Sequence, residues 1–189
     1  MELIEDTTTL RRAQVGEIAR FMKIAKDGEG ALKADYVALK RLDPFADAQS
    51  VQQIAALTNA LYRAKVDCEH MSVSRWKRWG LIAHGIAMTV HCAPDKSAPT
   101  LGQQLALAGV SEARVTRLLN ARGDAFFQIL PRVLRLIASR NVLPDWAELG
   151  RLILSEGASD ARGMRRAEAA RRKIVGDYVR ARLMSERTS

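Results

Sequence analysis

Arginine supplies most of the chemistry this sequence offers. Residues 161–182, ARGMRRAEAARRKIVGDYVRAR, place Arg162, Arg165, Arg166, Arg172 and Lys173 at spacings of three to four and about seven, so on a helix several share one face. Only Glu168 and Asp177 interrupt the eight cations from Arg162 to Arg182. Two carboxylates leave such a stripe largely unneutralised, and the planar fork of guanidinium matches phosphate better than an ammonium does. Arg114, Arg117, Arg122, Arg132 and Arg135 lie in the same half of the chain. The expectation is one phosphate-tracking surface made of Arg165, Arg166, Arg172 and Lys173 with Arg117, Arg122, Arg132 and Arg135, extended across the first half by Lys33 and Arg41. The competing reading is a solvated charged face with intrahelical ion pairs.

Other chemistry finds less support. Cys68 and His70, with His91 and Cys92, offer four potential zinc ligands, but neither pair has finger or ribbon spacing, so no metal site is expected. There is no G-x-S-x-G, H-E-x-x-H or P-loop, and the acids are scattered singly. His84, in an apolar run, reads as a hydrogen-bonded core histidine. No catalytic residue, no enzyme activity and no cofactor are expected. Trp76, Trp79, Phe126, Phe127 and Trp146 fall on apolar faces, which favours packing over base stacking. One pattern points elsewhere. Residues 101–118, LGQQLALAGVSEARVTRL, resemble a helix-turn-helix in which Ser111, Glu112 and Arg114 face a major groove, as in a sequence-specific regulator of duplex DNA.

The elements that must position these residues are all helical. Thr7, Thr8 and Thr9 offer N-caps to a segment carrying Leu10, Val15, Ile18, Phe21 and Met22, ended by Gly28 and Gly30. A second segment, 31–41, breaks at Asp43-Pro44. A third, 50–66, puts Val51, Ile54, Leu57, Leu61 and Tyr62 on an apolar face, and Ser74 precedes a fourth. Thr100 and Ser111 cap two short helices ending near Gly109 and Gly123. Pro131 should kink or split a helix over 124–140, Pro144 should sit in the first turn of a helix reaching Leu154, and a last helix covers 159–184. No stretch alternates like a strand. Residues 91–99, HCAPDKSAP, read as a connector, so the expected organisation is an all-α chain of two small helical bundles: an N-terminal lobe over 1–90, the connector 91–99, and a C-terminal lobe over 100–189 with the basic last helix.

Composition agrees. Thirty Lys and Arg against 21 Asp and Glu give a formal charge of +9, which attracts polyanions at long range. Hydrophobic residues make up 48%, enough for a core. The acidic start, Met1 to Asp6, is no secretory signal, no apolar run reaches membrane-span length, and two cysteines read as reduced thiols, so a cytoplasmic protein without a membrane partner is expected.

Several short motifs, in order, resemble the CasB family, the small subunit of the type I-E CRISPR surveillance complex (Cascade). They are DGEGALK (27–33), WGLIAHGIAMTVH (79–91), SAPTLGQQLALAG (97–109), SEARVTRLLNARGD (111–124), VLPDWAELGRLIL (142–154) and RRKIVGDYV (171–179). Residues 35–75 match poorly, and 155–170 look longer than usual. The resemblance implies a two-lobed helical protein without a catalytic site. Its implied partners are CRISPR RNA, the target and displaced DNA strands, the CasC-type backbone and other Cascade subunits, and a second copy of itself. It further implies that the subunit stabilises the guide–target duplex and holds the displaced strand, with sequence read by base pairing.

Overall fold

The structure, a computed structural model, describes residues 2–89, 98–158 and 160–188. Among these all regular structure is helical, as an all-α chain requires: α1 (Glu2–Asp27), α2 (Gly30–Lys40), α3 (Val51–Arg63), α4 (Val73–Thr89), α5 (Leu101–Leu107), α6 (Glu112–Asn120), α7 (Gly123–Ser139), α8 (Trp146–Ser155) and α9 (Ala161–Thr188). Contacts divide the chain into two units, Met1–Ala93 and Pro94–Ser189. Most of the segment expected as a connector lies outside the described residues. No described helix is long and apolar enough to cross a membrane.

In the first unit Val15, Ile18, Phe21 and Met22 of α1 are buried as their spacing predicts, whereas Leu10 is half exposed. The helix begins at Glu2, so Thr7 to Thr9 lie within it instead of capping it. It ends before Gly28, and Gly30 adopts the left-handed φ of +56° that lets α2 turn back. Tyr36 donates from its hydroxyl to the Ala87 carbonyl at 3.1 Å, and His84 Nδ1 meets the Leu39 carbonyl at 3.1 Å, so α2 and α4 are joined by polar contacts as well as packing. Ser50 and Gln53 form a reciprocal capping box that starts α3. The apolar face expected on α3 is narrower than its sequence suggests. Leu57 and Leu61 are buried, but Val51, Ile54 and Tyr62 are exposed, because the packed face of this helix is completed by Ala56 and Ala60.

The second unit is built on α9. Thr100 and Gln103 box the start of α5, which lies so close to α9 that a Cβ on Gly102 would sit 2.7 Å from Asp177 Cβ and from the Tyr178 backbone nitrogen. Tyr178 donates to the Val110 carbonyl at 2.7 Å, tying α9 to the α5–α6 turn, where Gly109 has a φ of +68°. Leu105, Leu118, Leu134, Leu152 and Ile174 meet in the core of the unit. Pro131 does not split α7, which is one continuous helix over Gly123–Ser139. The first turn of α8 is started by Asp145, whose side chain accepts from the Ala147 and Glu148 amides; Pro144 precedes that cap instead of occupying the first helical position.

Candidate nucleic-acid interface

On α9 the buried positions are Ala167, Arg171, Ile174 and Tyr178, a four–three–four spacing that defines one packed face. Helical geometry therefore turns Arg162, Arg165, Arg166, Arg172 and Lys173 toward the opposite half of the cylinder. Arg162, Arg165 and Arg172 are exposed and Arg166 is half-buried, and none has a carboxylate within 4.0 Å among the described residues. Asp160 starts the helix by accepting from the Gly163 amide at 2.8 Å and the Arg162 amide at 3.1 Å. These bonds, the Gly163 one foremost, hold its carboxyl below the usual range, and Arg166 adds to the effect.

Lys173 and Arg122 are differently engaged. The ammonium of Lys173 donates to Glu148 and, at 2.9 Å, to Asp177. Burial alone would lower its pKa, but these two carboxylates raise it above the ordinary value. Arg122 reaches Glu168 at 2.7 Å and donates to the carbonyls of Leu119 and Ala121 at 2.7 and 2.9 Å, closing the α6–α7 turn onto α9. Arg171, one of the eight cations read from the sequence, is buried at 5% exposure. It pairs with the equally buried Glu156 and, at 3.0 Å, with Glu168. Glu156 also accepts from the Gly123 amide at 2.8 Å, so one carboxylate joins the ends of α7 and α8 to α9. Counting acids on α9 alone missed this neutralisation, because Glu148 and Glu156 arrive from α8 and its C-cap.

The remaining expected residues lie on other elements. Arg117 and Arg132, with Arg114, surround a groove of about 400 Å³ between α6 and α7, floored by Ile129, Val133 and Leu136. Arg135 is exposed one turn beyond Arg132. In the first unit Lys33 donates to the Lys26 carbonyl and lies 5.7 Å from the Tyr36 ring, while Arg41 is the exposed C-cap of α2. Trp79, Phe126 and Trp146 are fully buried, and Trp76 is half-buried with its indole N–H on Gln49 at 3.1 Å, which fits the packing reading. Among the described residues no three His, Cys, Asp or Glu side chains gather as a metal site; His91 and Cys92 lie outside those residues.

These features define an all-helical protein whose arginines divide between structural ion pairs and unneutralised exposed faces. The family model for CRISPR-associated protein Cse2 matches residues 6–178, and the chain belongs to that family. It is thus a Cascade subunit that associates with other subunits of that complex, and family membership does not favour a helix-turn-helix regulator. In the α5–α6 pair the buried face of α5 packs on α9, Ser111, Glu112 and Arg114 are exposed, and the Ser111 side chain makes no cap bond at α6. Comparisons with curated proteins and with solved structures find no match.

Proposed function

We propose that this Cascade subunit holds nucleic-acid backbone along the outward face of α9, stabilising the duplex of CRISPR RNA with target DNA and retaining the displaced strand in antiviral defence. It does so without catalysis, in the cytoplasm and alongside the CasC-type backbone. The observation that carries this reading is the set Arg162, Arg165, Arg166 and Arg172, lying opposite the packed face with no carboxylate within 4.0 Å among the described residues. Guanidiniums so placed meet phosphates at little desolvation cost and release condensed counterions, which gives affinity without sequence preference.

The test is the double reversal Arg165→Glu with Arg166→Glu. Arg165 is exposed and Arg166 half-buried, and neither has a carboxylate within 4.0 Å among the described residues, so the pair should cost about 1 kcal/mol or less and folding should be preserved. Complexes rebuilt with the variant should load guide RNA normally and lose target DNA faster at physiological salt. Normal DNA retention would assign this face to solvent or protein, and a collapse in thermal stability would make its arginines structural.

A further inference from the structure

The α6–α7 groove differs in kind from the α9 face. Arg114 and Arg117 are one turn apart on α6 and Arg132 faces them from α7, all three exposed and without a carboxylate within 4.0 Å among the described residues. Between them lie Ile129 and Leu136, both half-buried, with the buried Val133 beneath, at i, i+7 and i+4 on α7, so the floor is aliphatic and spans about two helical turns. A phosphate backbone has no use for such a floor. Unpaired bases would want aromatic faces to stack on, and none lines this groove.

We infer that the α6–α7 groove is a docking site for an acidic, aliphatic helical segment of a partner protein. Two or three apolar side chains at i, i+3, i+4 and i+7 would cover the half-buried Ile129 and Leu136, and flanking carboxylates would take the three guanidiniums in bidentate pairs. Charge complementarity selects this occupant. A basic or neutral helix would leave three cations crowded at the rim of a drying groove, whereas glutamates neutralise them as the floor is covered. The inference does not require α9 to hold nucleic acid.

The probe is a labelled helical peptide with leucine at i, i+3, i+4 and i+7 and glutamate at the flanking positions, titrated into the full chain and followed by fluorescence anisotropy. Saturable binding is expected. Arg117→Glu or Arg132→Glu should weaken it at least about tenfold, as loss of a central charged anchor does. The Arg165→Glu, Arg166→Glu double variant should bind the peptide like the parent protein. Exchanging the glutamates for glutamine, or the leucines for alanine, should each weaken binding about tenfold or more. Absence of saturable binding, or binding indifferent to the arginines or to the leucines, overturns the inference. So does a single-stranded oligonucleotide that displaces the peptide and loses its own affinity with Arg117→Glu, which would give the groove to nucleic acid.

Discussion

Replacing Gly102 with alanine sets two known effects against each other. Gly102 is the second residue of α5, where alanine gains at most the roughly 1 kcal/mol it has over glycine in a helix interior, so sequence propensity alone predicts a more stable protein. The structure predicts the reverse. The new methyl would lie 2.7 Å from Asp177 Cβ and from the Tyr178 nitrogen, and nearer still to the Ile174 carbonyl; none of these is the free end of a side chain that can swing away. α9 must therefore move off α5. Overpacking of this sort costs about 1–3 kcal/mol. Pulling Tyr178 from the Val110 carbonyl adds about 1 kcal/mol. Set against the propensity gain, the net loss is about 2 kcal/mol. In urea, with a slope of about 2 kcal/mol per molar, the unfolding midpoint followed by far-UV circular dichroism should fall by about 1 M. A midpoint equal to or above that of the parent protein, with unchanged slope, would refute the close approach of α5 and α9.

Glu156→Gln should destabilise by about 3 kcal/mol in the same assay, because it removes the buried carboxylate that pairs with Arg171 and leaves that guanidinium only the exposed Glu168, while Glu168→Gln, at an exposed carboxylate, should change stability by about 0.5 kcal/mol or less. Burial pushes the Asp177 carboxyl up, but hydrogen bonds from Lys173 and Thr100 and the charges of Lys173 and Arg180 outweigh it and hold the pKa below the ordinary carboxylate value. That group's stabilisation is thus complete above its unfolded pKa, near 4, and is lost as pH falls through the lower folded one; Asp177→Asn should flatten this acid limb of a denaturation-against-pH curve. DNA affinity of the chain should fall with salt by a slope of about 0.7 to 0.9 per phosphate engaged, and an affinity indifferent to salt would exclude the proposed contact. Selection from a random duplex library should return no consensus, where a regulator would favour its operator by about a thousandfold or more.

The helices were legible because their signals are local. The Thr100 cap, the glycine stop after α1 and the periodic face of α1 lie within a few residues of the positions they govern, whereas the Gln53 and Gln103 side chains that complete the boxes at α3 and α5 were seen only in the structure. What depends on distant partners was not. Charge along 161–182 pointed to a free basic stripe, yet Lys173, Arg171 and Arg122 find carboxylates, those of Glu148 and Glu156 lying outside that stretch, and no spacing rule within it could announce them. The groove of Arg114, Arg117 and Arg132 joins residues of two helices, so its arginines were visible in the sequence and their shared aliphatic floor was not. Pro131 is the opposite case: of the kink or split expected there the split does not occur, and Leu130, Val133 and Leu134 are buried along one continuous helix.

The cross-linking of helix ends in the second unit sets the order in which that unit forms on the ribosome. Leu101, the first residue of α5, donates its amide to Glu148 at the start of α8, and Gln104 accepts from the Asp145 amide that precedes α8. Helices of seven, nine and ten residues, as α5, α6 and α8 are, have almost no helicity alone. α5 and α8 share α9 as their main support, and it is translated after them, whereas α6 packs on α7. During synthesis α1 to α4 can pack as one unit and α6 can pair with α7, while α5 and α8 lack their main support until α9 emerges. The vulnerable interval for aggregation or chaperone capture is therefore the synthesis of residues 101–188, and a pause within α9 would lengthen it, whereas a pause within α1 to α4 would not.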